Sequence, residues 1–169
     1  LASRGAQVTL IEMKPKKFSP AHKSDALCEL VCSNSFKASR PDSAAGLLKN
    51  EMELLGSITV KCAKMTSVPA GGALAVNRDD FSRAVTEIIE NEPLIEIVRQ
   101  EVTEIPREGI VIVAAGPLAS EAISRDIKEL CELCNPTMGI ITAVGPQHLE
   151  TFGSVQNVAK TKFELADNV

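Results

Sequence analysis

The chain has 169 residues, 44% of them apolar and 24% charged, and carries a net charge of −4. That balance belongs to one globular domain of ordinary size and excludes disorder as the main state; the longest apolar run, around Ile110–Ala115, falls far short of the roughly 20 residues that span a bilayer. An acidic total excludes a polycation that binds nucleic acid by bulk attraction, and five cysteines without a charged-then-apolar leader read as reduced thiols in a cytoplasmic setting.

Leu1-Ala2-Ser3-Arg4-Gly5 reads as the last turn of a helix with a glycine stop, so the chain is expected to open inside a longer protein. Gln7–Ile11 is a β-branched strand ending at Glu12. Residues 13–42, rich in Ser, Pro, Lys and Asn, read as a long functional loop with at most one helical turn around Ala26–Val31. Between Met13 and Pro41 six basic residues face two acids, a local charge of +4 against −8 for the remainder. Such a segment can face a phosphate backbone or simply be a solvated loop.

Ala44–Leu55, with Leu47, Leu48, Met52 and Leu55 and then Gly56, has the spacing of an amphipathic helix with a C-terminal stop. Ile58–Cys62 and Ala73–Val76 read as short strands around the turn Pro69-Ala70-Gly71-Gly72. A helix is expected from Asp79 or Asp80 through Ile89, with Phe81, Val85, Ile88 and Ile89 on one face. Three β-like runs follow, Ile95–Arg99, Glu101–Ile105 and Ile110–Ala115. The last is continuously apolar, as a strand covered on both faces would be, and ends in Gly116-Pro117. A helix from Leu118 to about Cys134, a strand over Met138–Val144 and a helix over Ser154–Asp167 complete the chain. Alternating elements make this an α/β fold with a mainly parallel sheet.

Cys28-x3-Cys32 and Cys131-x2-Cys134 could be imagined as a four-thiolate zinc site, but both lack the turn glycines of a zinc knuckle, and Glu129–Cys134 reads as helical with Cys131 and Cys134 as small apolar residues, so no metal is expected. A strand that follows a helix end and a glycine and closes on an acid is the second half of a dinucleotide-binding βαβ unit, where the carboxylate accepts hydrogen bonds from a ribose. Glu12 has that position. The G-x-G-x-x-G turn that would hold the pyrophosphate is not in this sequence, and on spacing alone Glu12 is equally an ordinary surface acid.

Several longer runs carry a resemblance: Val8-Thr9-Leu10-Ile11-Glu12-Met13-Lys14-Pro15, Ser19-Pro20-Ala21-His22, Glu29-Leu30-Val31-Cys32-Ser33-Asn34-Ser35, Ala45-Gly46-Leu47-Leu48-Lys49, Val68 through Arg78, Glu101–Ile105 and Ala115-Gly116-Pro117-Leu118. Together they resemble, over residues 1–128, the start of the folate- and FAD-dependent tRNA uracil-5-methyltransferases, the TrmFO family. The resemblance implies an incomplete FAD/NAD(P)-binding Rossmann-like sheet without its opening strand and glycine turn. It implies that Glu12 binds the adenosine ribose of FAD with Met13 and Lys14 beside it, and that Val102 holds the adenine through its main chain. Gly71, Gly72 and Arg78 would lie on the flavin side, and Ala115-Gly116 in a strand-end turn near the cofactor, with Ala115 where the family usually has Thr. His22, Lys23, Ser33 and Asn34 would face the tRNA.

Cys32 matches a cysteine implicated in the family's chemistry, in which methylenetetrahydrofolate and NAD(P)H are co-substrates. Uracil C5 is a poor nucleophile until a thiolate adds at C6; His22, Lys23 or a nearby helix N-terminus would favour the thiolate. Because family accounts also involve a later cysteine, Cys32 is a candidate nucleophile or an accessory thiol; an inert core thiol is the remaining alternative.

Beyond residue 128 the text changes. Gly139 through Ser154 resembles the central domain of the Mur ligases, closest to the D-alanyl-D-alanine-adding MurF type, which makes residues 129–169 an appended strand–helix unit and the chain a chimera joined near Ile127. That resemblance implies His148 and Lys162 as metal-site residues only if the tail were functional, and the glycine loop such a ligase needs is not in this sequence. One expectation follows: Met138–Val144 fills the slot of the missing first strand by pairing Ile140–Ala143 with Val8–Leu10. The combined reading is a methyltransferase fragment, inactive alone, with a non-catalytic chimera or a ligase fragment as alternatives.

Overall fold

The computed structural model describes residues 1–134. The chain divides into two compact units, Leu1–Val102 and a second beginning at Thr103. The expected strand over Met138–Val144, the helix over Ser154–Asp167, the Val8–Leu10 pairing, His148 and Lys162 concern residues outside the described ones.

The first unit opens with a 3₁₀ turn, Ala2–Arg4, stopped by Gly5 at φ 83°. This left-handed backbone is one that only glycine adopts without strain. Strand β1, Val8–Glu12, runs parallel to β5, Ile95–Arg99, with Val8 opposite Ile95 and Glu12 opposite Arg99. A second sheet is antiparallel: β2 (Ser35–Ala38), β4 (Ala73–Val76) and β3 (Ser67–Val68), with β4 in the middle. The fold is therefore α/β with a parallel sheet as expected, but its parallel part is one strand pair; in the second sheet the expected strand Ala73–Val76 and the turn before it are present, whereas β2 and β3 were not expected. Within the expected long loop, β2 forms because Val76 N–H donates to Asn34 O and the Asn34 amide donates to Val76 O, at 2.9 and 3.0 Å, fastening the segment to β4.

Helices α1 (Ala44–Leu54), α2 (Ile58–Met65) and α3 (Arg78–Glu90) cover this sheet's surroundings. The strand expected over Ile58–Cys62 is the first half of α2. Ser57 caps it by accepting the Val60 amide, and Cys62 and Ala63 are completely buried with Phe81, Val85, Leu74 and Val76. Burial of that face outweighs the β preference of Ile58, Thr59 and Val60. Phe81 packs edge-on against Phe36, with ring centroids 5.2 Å apart, and so ties α3 to β2. Asn77 caps α3 by accepting the Asp79 and Asp80 amides.

Helix α1 is locked at its start. Ser43 Oγ donates to Arg40 O at 2.7 Å and accepts the Gly46 amide at 3.1 Å. The Lys49 ammonium, buried, donates to Phe36 O and Ala45 O, both at 2.7 Å, and burial pulls its pKa down. A methyl group on Gly46 would fall inside the Arg40 carbonyl. Gly→Ala inside a helix ordinarily gains about 1 kcal/mol, yet overpacking against backbone costs about 1–3 kcal/mol or more. Gly46→Ala is therefore expected to lower stability by about 2 kcal/mol, read as a fall in the urea midpoint; a rise would show that the Arg40 turn yields.

The second unit holds a 3₁₀ turn, Gly116–Leu118, and α4, Glu121–Cys134. The helix expected from Leu118 thus begins three residues later, after the turn that Pro117 initiates. Among the described residues, neither Glu101–Ile105 nor Ile110–Ala115 is a strand. Ile110 is 98% exposed and Ile112 68%, so the run expected to be covered on both faces is bare. A strand needs a neighbour for its amides and carbonyls, and no described strand pairs with this one. Helix α4 runs unbroken across residues 128 and 129, where the sequence text changes.

Candidate functional site

Glu12 ends β1 half-buried, and its Oε1 accepts the amide of Lys14 at 3.0 Å, so the strand-end carboxylate is held by its own chain. Lys14 is 2% exposed. Its ammonium donates to Ala26 O at 2.6 Å and to Glu29 Oε2 at 3.4 Å, while its carbonyl accepts from the Arg99 guanidinium at 3.2 Å. Every polar group of Lys14 is therefore used within the fold. Arg99 also donates to Asp25 O at 2.9 Å, clamping both ends of the 14–25 stretch to the tip of β5.

Glu29 is the second anchor. Its carboxylate accepts the amides of Lys23 and Ser24 at 2.9 and 3.2 Å as well as the Lys14 ammonium. Burial pushes its pKa up, but these donors outweigh that and leave the carboxyl below its ordinary range. Neither Glu29 nor Arg99 was picked out as a site residue, because their partners lie 15 and 85 positions away and no local pattern encodes such a contact.

The pinned 23–30 segment and the beginning of α3 enclose a cleft of about 490 Å³, lined by Lys23, Ser24, Ala26, Glu29, Leu30, Arg78, Asp79, Ser82 and Arg83. Lys23 and Arg78, expected in separate roles, thus share one cleft, which Glu12 does not line. Gly71 and Gly72 sit in the exposed turn between β3 and β4, with Gly71 at φ 59°. His22 has its Nδ1 at 2.7 Å from Ser19 Oγ. Met13 is half-buried behind Glu12, and Val102, half-buried, is the last residue of the first unit. Ala115 and Gly116 are exposed in the second unit, Gly116 at φ 66°.

The cysteines separate by environment. Cys62 is fully buried in the core, and burial raises its pKa. Cys32 is exposed, two residues before the Asn34–Val76 fastening. Ser33 accepts the Ser35 amide at 3.1 Å, shaping the turn into β2. Exposure removes the inert-core alternative for Cys32 and places a thiol where a substrate can reach it.

The family model described as glucose inhibited division protein A matches residues 1–150. The methylenetetrahydrofolate–tRNA-(uracil-5-)-methyltransferase TrmFO of Acetivibrio thermocellus is 54% identical over 129 residues, 76% of this chain and 30% of that protein. The protein so named in Pelotomaculum thermopropionicum is 57% identical over 126 residues, 75% of this chain and 29% of its own. That of Aquifex aeolicus is 52% identical over 130 residues, 77% and 29%. The chain thus spans about 30% of the length of these curated relatives. The family match continues to residue 150, through part of the text that resembles a Mur ligase, and none of these findings bears on that second resemblance.

Proposed function

The chain belongs to the family described as glucose inhibited division protein A, and from that premise we propose that it is part of a methylenetetrahydrofolate- and FAD-dependent tRNA (uracil-5-)-methyltransferase of TrmFO type, inactive alone. The observation that carries this reading is the 52–57% identity to relatives so named. The exposed thiol of Cys32 supports it.

The residues present suit a flavin dinucleotide at one end. Glu12 closes a parallel strand where such folds bind a ribose diol, and the Lys14 amide on Oε1 holds the carboxylate in place. In this reading Glu12 holds the adenosine ribose, Met13 packs beside it and the Val102 main chain meets the adenine. Lys14, with its polar groups engaged elsewhere, positions Glu12 rather than touching the cofactor. Gly71 and Gly72 lie toward the flavin, and Ala115-Gly116 form the turn that passes near it. When bound, FAD with methylenetetrahydrofolate and NAD(P)H supplies the one-carbon unit and the reducing electrons.

The chain's own chemical step is on the base. Cys32 gives up its proton, to His22 or to water, and the thiolate forms a bond to uracil C6. The C5–C6 π electrons move onto C5 and O4, making C5 nucleophilic. His22, Lys23, Ser33 and Asn34 would surround the T-loop uridine.

The test is a graft. Residues 1–128 of this chain replace the matching segment of the Acetivibrio thermocellus relative, and T-loop methylation is measured with methylenetetrahydrofolate, NAD(P)H and FAD. The graft is expected to keep flavin absorbance and turnover within about tenfold of the relative. A folded, flavin-bound graft that leaves uridine unmodified overturns the reading.

A further inference from the structure

The cleft between the 23–30 segment and α3 carries an unbalanced pair of cations. Among the described residues, the Lys23 ammonium and the Arg78 guanidinium have no ion-pair or hydrogen-bond partner, although both line the same 490 Å³ space. The other charges there are mostly settled. Glu29 is matched by the Lys14 ammonium and two amides, and Arg83 is paired with Asp80. Asp79 remains as the one acid without a charged partner among the described residues. Lys23 and Arg78 against Asp79 leave one unit of positive charge in a space within the roughly 300–1,000 Å³ of ligand clefts.

We propose that this cleft binds a single phosphodiester of a nucleic-acid strand, with Lys23 and Arg78 as its ligands. The charge count decides the class. A phosphodiester carries one negative charge and matches the excess, whereas a terminal phosphate monoester carries about 1.5–2 at neutral pH and would meet Asp79 uncompensated. Arg78 presents a planar fork of donors suited to two phosphate oxygens, and Lys23 a point charge. The segment bearing Lys23 is held rigid from behind by Lys14, Glu29 and Arg99, so little ordering is needed on binding. Arg78, placed on the flavin side by resemblance, is thereby assigned to this cleft. The choice of RNA as the strand rests on the tRNA reading above.

The experiment follows a fluorescein-labelled six-nucleotide oligouridylate by anisotropy against the purified chain at several salt concentrations. The Lys23→Gln/Arg78→Gln double variant is expected to bind at least about tenfold more weakly, with a salt slope shallower by about 0.7, since one neutralised phosphate on a single strand contributes about 0.7. Asp79→Asn, which removes the repulsion, is expected to bind about threefold more tightly. Lys61→Gln, on the exposed side of α2, should change little. Wild-type chain that does not bind the oligonucleotide, or a double variant that binds it equally well, overturns the cleft. So does displacement of the oligonucleotide by micromolar inorganic pyrophosphate, which would assign the cleft to a nucleotide's phosphates. Because the graft assay reads turnover and not this affinity, the methyltransferase reading can fail or survive independently.

Discussion

Replacing Cys32 by serine in the grafted methyltransferase is expected to lower kcat at least about a thousandfold, close to 4 kcal/mol of barrier, while KM for tRNA moves far less. Serine keeps the size and the hydrogen-bonding capacity of the side chain but not its acidity. A thiol is acidic enough to supply a usable anion in water near neutral pH, and an aliphatic hydroxyl is far less so. Loss confined to kcat is the mark of a group that acts only as the reaction proceeds. Exchange of the uridine C5 hydrogen with solvent, which needs the C6 adduct, should vanish in parallel. A loss of less than about tenfold, with C5 exchange intact, would make Cys32 an accessory thiol. Cys62→Ser serves as the contrast: that thiol is walled into the core with Phe81 and Val85, so its replacement should lower stability and leave the exchange signal of the folded enzyme unaltered.

Lys14→Met is expected to cost about 3 kcal/mol of folding stability, read as a lower urea midpoint at unchanged slope. Methionine fills nearly the same space, so the loss is polar. It strands the Ala26 carbonyl and leaves the Glu29 carboxylate, with 15% of its side chain exposed, without a counter-ion. Adding Glu29→Gln to Lys14→Met should recover part of the loss, and the cycle gives the coupling. The pH dependence has a fixed sign. Because Glu29 titrates below its ordinary value in the folded chain, its contribution is fully present above the ordinary carboxylate range and is lost as the pH falls through that range toward the folded value. Glu29→Gln should flatten that acid limb. An acid limb equally steep in Glu29→Gln would place the proton uptake elsewhere.

The elements legible in the sequence were those whose signal is local. The end signals of α1, the 3.6-residue spacing of α3, the glycine stop after Arg4, and the β-branched runs of β1 and β5 appear where expected, but the apolar face read for α1 does not turn inward: Leu47, Leu48 and Leu55 are 52, 56 and 84% exposed, and Gly46 and Lys49 are the buried residues of that helix. What was not legible depends on partners distant in the chain. Ile58–Val60 prefers strand locally but becomes helix because Cys62 and Ala63 complete a core with α3 and β4. β2 exists because Asn34 finds Val76, 42 positions away, and nothing in the Ser- and Lys-rich text announces it. Ile110–Ala115 has the composition of a buried strand, but composition supplies no neighbour. At the site, the resemblance named Glu12, Lys23, Cys32 and Arg78 individually. It did not reveal that Lys14 turns inward to Glu29, or that Lys23 and Arg78 line one cleft.

The double fastening of Asn34 to Val76 limits how the thiol can travel. Two residues of backbone extend about 7 Å at most, so Cys32 moves on a short leash anchored to a sheet rather than on a free arm. In the proposed reading, the backbone that carries the thiol therefore stays within a short reach of the strand beneath it. Lengthening that leash by one residue would enlarge the volume the sulfur samples and dilute its encounters with the base, without altering a single contact in the core.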